Sequence, residues 1–284
     1  MIEKILLADS GTGNTEAMMK ALMDIPLIQR AAVTVLHVVP SQVSSEAMAA
    51  KWEAGGRTLA TAITNLNLDP SRVTAVLREG DPKDVVIQVA DEIDASLIVM
   101  GSRGLQGLKA ILENSVSQYV FQLSSRPMLL IKDDLYSIRP IKRVMVALDK
   151  SDSAKAGLTI AISLLRDIKG GELTLVHTVS SLKSKPFDVA SQDPNQDPIL
   201  AAALTEVKKY DIAYKLAAPE GKPGRRICEL AEERNMDLII LGSPDRRPTI
   251  SKGLPDLDKV LGESLTDYVR VYATCPVLLT RMAG

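Results

Sequence analysis

The residues of this 284-residue chain whose types and spacing could do chemistry are glycines, hydroxyls and one aspartate. Asp9 ends a short apolar run and is followed by Ser10-Gly11-Thr12-Gly13-Asn14-Thr15. Met100 ends another, followed by Gly101-Ser102-Arg103-Gly104-Leu105-Gln106-Gly107, and the chain then reaches Asn114-Ser115, where a helical pattern begins. Glycines let a backbone come close to phosphate oxygens, and the N–H groups at a helix start attract anions. Phosphate binding is the chemistry these features offer together. Without a ligand, Gly101 is a strand-to-helix turn residue, and Ser115 with Gln118 three positions on is a capping box.

These residues are positioned by a duplicated set of elements. Lys4-Ile-Leu-Leu-Ala8-Asp9 matches Arg143-Val-Met-Val-Ala147-Leu-Asp149, and Val33-Thr-Val-Leu-His37-Val-Val39 matches Leu173-Thr-Leu-Val-His177-Thr-Val179. Gly80-Asp-Pro82 matches Gly221-Lys-Pro223, Leu97-Ile-Val-Met-Gly101 matches Leu238-Ile-Ile-Leu-Gly242, and Arg126-Pro-Met-Leu-Leu-Ile131 matches Cys275-Pro-Val-Leu-Leu-Thr280. Five blocks in the same order set two domains, residues 1–136 and 137–284. The blocks are runs of branched apolar residues, as in strands buried on both faces. Between them lie helical patterns. One is an Ala-rich stretch from Ser45 to Leu66. Another is capped by Asp81 and started by Pro82, with Val85, Val86, Val89, Ala90 and Ile93 on one face. A third, after Ser115, carries Val116, Tyr119, Val120 and Leu123. Alternating strands and helices predict an α/β fold with a parallel, doubly wound sheet in each half. Ligands then bind beyond the carboxyl ends of the strands, where the winding reverses.

Composition narrows the function. A net charge of −1 gives no reason to expect a nucleic-acid or membrane partner. No apolar run approaches the ~18 residues of a membrane span, and no leader precedes the first strand, so a cytoplasmic location is expected. Two cysteines, Cys228 and Cys275, exclude a disulfide framework, and two histidines make a His/Cys metal site improbable. His37 and His177 fall inside apolar strands and read as core residues. With no Walker lysine-serine pair and no carboxylate dyad, the chain is not expected to be an enzyme.

Gly101-x-x-Gly104, nine residues, then Asn114-Ser115 is similar to the phosphate loop of the ATP-binding branch of the universal stress protein family. The resemblance extends to the Leu-His-Val-Val strand, the Gly-Asp-Pro corner and the final Pro-Met-Leu-Leu-Ile of the first half, and so spans most of both halves. It implies two tandem flavodoxin-like domains with strand order 3-2-1-4-5, a role in stress response, and ATP or another adenine nucleotide as ligand, with Mg2+ accompanying it. It further implies that Asp9 and Val38 hold the adenine, with Ala8 beside them in the ligand site. Met100, Gly101, Arg103, Gly104, Asn114, Ser115 and Val116 would surround the phosphates. Pairing of the last strands of the two halves within the chain, a further homodimer of tandem chains, and a protein partner of unstated identity are also implied.

The sequence departs from the family pattern in both halves. Asn114 replaces the last glycine, and the first strand is one residue short before Asp9. In the second half Asp245 replaces the second glycine, and the loop to Ser264 is longer and carries Arg246, Arg247 and Lys252. A carboxylate there repels phosphate, so the first half is expected to bind chiefly. Two rivals remain. The Ser10–Thr15 loop is similar to the FMN phosphate loop of flavodoxins, although aromatic residues make up only 3% of the chain. The other rival is a ligand-free interaction scaffold.

Overall fold

The branched apolar runs form strands because both of their faces are covered. Ile5, Leu6 and Leu7 are fully buried, as are Leu97, Ile98 and Val99 on the neighbouring strand. A computed structural model describes residues 2–10, 15–42, 44–66, 68–102, 115–132, 138–178, 194–243 and 264–281. The chain divides into two units, Met1–Pro140 and Ile141–Gly284.

The first unit contains β1 (Lys4–Ala8), α1 (Thr15–Met23), β2 (Ala32–Val39), α2 (Ser45–Leu66), β3 (Val73–Glu79), α3 (Pro82–Glu92), β4 (Leu97–Ser102), α4 (Val116–Leu123) and β5 (Met128–Lys132). Its strands are parallel and lie in the order β3-β2-β1-β4-β5. The second unit contains β6 (Arg143–Ala147), α5 (Asp152–Leu165), β7 (Glu172–Val176), α6 (Pro198–Val207), β8 (Ala213–Ala217), α7 (Pro223–Glu233), β9 (Leu238–Gly242), α8 (Leu265–Tyr272) and β10 (Val277–Thr280). Its order, β8-β7-β6-β9-β10, is the same 3-2-1-4-5 arrangement, again parallel. Within each unit the first two helices pack together and the last two pack together, which makes the two helix layers of a doubly wound sheet.

Local chemistry sets the element boundaries. Gly80 (φ 142°) and Gly221 (φ 123°) turn the chain out of the edge strands with backbone angles that side chains rarely adopt. Asp81 then accepts the N–H of Lys83, and Pro82 opens α3, whose buried face is Val85, Val86, Val89 and Ala90. The first strand of each unit is anchored by the residue just before the fourth. Ser96 Oγ accepts the N–H groups of Glu3 (2.9 Å) and Lys4 (3.0 Å). Asp237 does the same for Lys142 (3.2 Å) and Arg143 (2.8 Å), and its carboxylate also meets the Arg143 guanidinium at 3.2 Å.

One helix face differs from its sequence expectation. The buried residues of α4 are Ser117, Val120 and Phe121, while Leu123 is exposed and Val116 and Tyr119 are half-buried. Ser117, Val120, Phe121 and the following buried Ser124 keep helical spacing. Gln118 and Gln122 mark the polar side, and the buried face is centred on Ser117, Val120 and Phe121 rather than on Val116 and Leu123, so a serine takes a place that residue type assigns to an apolar side chain.

Candidate functional site

The parallel register sets two strand ends side by side in the first unit. Ala8, the last residue of β1, pairs with Met100 of β4 on one side and Leu36 of β2 on the other. Asp9 and Gly101 therefore come next on adjacent strands, at the point where the order reverses. Asp9 is buried at 6% exposure, and its N–H donates to Leu36 O at 2.9 Å. Its Oδ1 accepts the hydroxyl of Thr15, the first residue of α1, at 3.0 Å. His37 Nδ1 lies 2.9 Å from Asp9 O. A carbonyl only accepts, so His37 carries a proton on Nδ1. The histidine is thus half-buried and hydrogen-bonded, and ties the end of β2 to the end of β1.

Ser115 begins α4 as its N-cap, and its hydroxyl oxygen accepts the N–H of Gln118 at 3.2 Å. The first-turn N–H groups of α4 point out beyond this cap, where an anion is favoured. Met100 is buried, whereas Val38, Gly101, Ser115 and Val116 are half-buried. Ala8, Asp9, Met100 and Gly101 are therefore gathered at two adjoining strand ends, with Val38 at the end of β2. Arg103, Gly104 and Asn114 lie outside the described residues, as do Gly11–Asn14 of the flavodoxin-like loop and Asp245, Arg246, Arg247 and Lys252 of the second half. Among the described residues no group of three or more His, Cys, Asp or Glu side chains could hold a metal ion. Cys228 and Cys275 are both buried thiols.

The second unit corrects one pairing made from sequence. Ala147 ends β6 beside Leu241, as Ala8 ends β1 beside Met100, and the next N–H, of Leu148, donates to Val176 O at 2.7 Å. By hydrogen-bond register the counterpart of Asp9 is therefore Leu148, buried at 7%, and not Asp149. Asp149 is exposed, and it accepts the N–H of Ser151, which caps α5. The one-residue shortening before Asp9 thus sets a carboxylate at the position that a leucine fills in the second unit.

Gly242 has a packing cause. A Cβ there would stand 2.5 Å from Ala154 N and 2.8 Å from Ser153 Oγ, so only glycine lets the start of α5 lie against the end of β9. Ser264 caps α8, accepting the N–H of Asp267 at 3.1 Å, as Ser115 caps α4. His177, the counterpart of His37, has a different partner: its Nδ1 lies 2.6 Å from Asp197 Oδ2. Asp197 Oδ1 also accepts the N–H groups of Ile199 and Leu200 at the start of α6. Burial raises the proton affinity of Asp197, but the His177 ring and the two N–H donors outweigh it and hold the carboxyl below its usual range. This pair left no sequence signal beyond the histidine itself, because 20 residues separate the partners.

Comparison with known proteins agrees with this geometry. The family model described as Universal stress protein family matches residues 1–132 and again 140–281. The universal stress protein YxiE of Bacillus subtilis is 28% identical over 148 residues, which is 46% of this chain and all of that protein. Universal stress protein Sll1654 of Synechocystis is 28% identical over 143 residues, covering 49% of this chain and 84% of that protein. A universal stress protein from Archaeoglobus fulgidus of known crystal structure is 22% identical, with a TM-score of 0.74 over 99% of this chain and 97% of that one. The likeness to that structure is one of fold. No helix among the described residues is long and apolar enough to cross a membrane. With two family matches on two units of the same topology, the chain belongs to the universal stress protein family as a tandem member.

Proposed function

We propose that this protein is a cytoplasmic stress-response protein that binds an adenine nucleotide, chiefly in its first unit, and uses it as a signal or stabiliser rather than as a substrate. The observation that carries the reading is the meeting of Asp9 and Gly101 at neighbouring strand ends, together with the serine-capped start of α4. In this reading Ala8, Asp9 and Val38 border the adenine. Met100, Gly101, Arg103, Gly104, Asn114, Ser115 and Val116 surround the phosphates. The side chains nearest the strand ends already have structural tasks: Asp9 holds Thr15, and His37 holds the Asp9 carbonyl. That favours a ligand role over turnover. Mg2+, where it accompanies the phosphates, would be carried by phosphate oxygens and water, consistent with the ion's reluctance to dehydrate. Tandem chains are taken to pair as homodimers.

The test is mass spectrometry of the small molecules released from freshly purified, heat-denatured protein, followed by titration with ATP and AMP. One adenine nucleotide per chain, with affinity lost in Gly101→Val and reduced in Ser115→Ala, supports the reading. Two per chain would refute the preference for the first unit. Released FMN would move the site to the Ser10–Thr15 loop, and unchanged affinity in both variants would refute the site.

A further inference from the structure

The helix after β2 is much longer in the first unit than in the second, and the excess projects past the sheet. Residues Met48, Trp52, Gly55, Leu59, Ala62 and Leu66 of α2 are spaced alternately four and three apart, and so form one stripe along the helix. Gly55, Leu59, Ala62 and Leu66 are buried, whereas no residue from Ser45 to Ala54 is buried and Trp52 is 39% exposed. The stripe loses its cover where the sheet ends. At Gly55 the helix lies tight on the last residues of the strands: a Cβ there would stand 2.8 Å from Val39 Cγ2 and 3.1 Å from both His37 Cδ2 and Leu77 Cδ1.

Because α2 starts just after β2 and runs back over it, residues before Gly55 lie beyond the carboxyl rim. Trp52, three residues earlier, stands about 4.5 Å further out along the helix axis. It is on the stripe that faces the sheet, three residues before Gly55, whose added Cβ would meet His37 Cδ2 at 3.1 Å, and the His37 ring is bonded to the Asp9 carbonyl at 2.9 Å. In the second unit Leu200, Ala203 and Val207 occupy the places of Leu59, Ala62 and Leu66, and α6 begins at Pro198, the place of Arg57. The overhang is thus an addition to the unit assigned the nucleotide. Gly55 and Gly56 are adjacent where the helix leaves the sheet, and Gly56 has no neighbour within 4 Å of its missing Cβ. Such a pair loosens a helix.

We propose that Trp52, backed by Met48, is the stacking surface for the base of the bound nucleotide. This inference rests on the nucleotide reading above and adds to it the residue that covers the base. An aromatic face offered to a purine is a common and effective contact, whose loss costs roughly tenfold in affinity.

Trp52 is the single tryptophan of the chain, so the intact protein reports on itself. The experiment is a titration with ATP, followed in parallel by tryptophan fluorescence and by calorimetry. Saturable quenching with the same midpoint as the heat is expected. Trp52→Ala should weaken ATP binding roughly tenfold, and Trp52→Phe should restore most of the loss. Heat of binding with unchanged fluorescence, or full affinity in Trp52→Ala, overturns the stacking role while leaving nucleotide binding intact. Neither heat nor quenching overturns both. Emission that changes with protein concentration in the absence of ATP would show that a second copy covers the stripe, and overturns the proposal as well.

Discussion

Replacing Gly242 by alanine separates the two reasons a glycine can stand at the end of β9. If the glycine serves only a phosphate, the change is harmless to folding. If it serves packing, the added Cβ meets Ala154 N at 2.5 Å, Ser153 Oγ at 2.8 Å and Ala154 Cα at 2.9 Å. Comfortable non-bonded separation is about 3.5 Å, so the start of α5 must retreat by about 1 Å. The neighbours are mostly helix backbone and cannot rotate aside. Overpacking of this kind costs about 1–3 kcal/mol. The same retreat stretches the bond from Thr280 Oγ1 to Ser153 O, now 2.8 Å, at about 1 kcal/mol. A total of about 3 kcal/mol lowers the melting temperature of a unit this size by roughly 6–12 °C. Calorimetric unfolding of the full chain would show the second unit's transition moving down, with the nucleotide stoichiometry unchanged. A shift corresponding to less than about 0.5 kcal/mol would refute the packing argument.

Asp237→Ala leaves two N–H groups at the start of β6 without their acceptor and is expected to cost about 2–4 kcal/mol. Asp237→Ser, which copies Ser96, should recover much of that in urea unfolding. Asp197 has a folded-state pKa below its unfolded value of about 3.9, so its stabilisation is complete above that pH and is lost as pH falls through the folded value. Wild type should therefore lose stability more steeply than Asp197→Asn between pH 5 and pH 3 (roughly the carboxylate range), and parallel curves would contradict the assignment. In α2, Gly56→Ala should stabilise by about 0.5–1 kcal/mol because its Cβ meets open space. Gly55→Ala, pressed against Val39, should not, and equal effects at the two positions in thermal melts would refute the close approach.

Much of the fold is legible because its signals are local and doubled. Strand runs, the Gly80 corner and the Asp81-Pro82 helix start each follow from residue type, and the second copy repeats most of them. The strand order needed the family resemblance, since apolar runs buried on both faces do not say which is their neighbour. The rest depends on packing and register: the buried face of α4 takes in Ser117, a residue whose type marks it as polar, and Asp149 shares its type with Asp9 but not its place on the strand end. The Ser96 and Asp237 anchors carry no shared sequence signal because a hydroxyl and a carboxylate do the same work. The overhang of α2 was visible as length, but its exposure depends on where the sheet stops beneath it.

The short end of β1 bears on how the two halves are compared. Asp9 stands at the register position that Leu148 holds in the second half, directly after the alanine that ends the first strand, so the two aspartates do not occupy one structural position. An alignment that rewards identity opens its gap there and hides the exchange of a leucine for a carboxylate in the interior. Mutational results therefore do not carry over from Asp149 to Asp9: the partner of an Asp9 substitution, in any cross-unit double mutant, is Leu148.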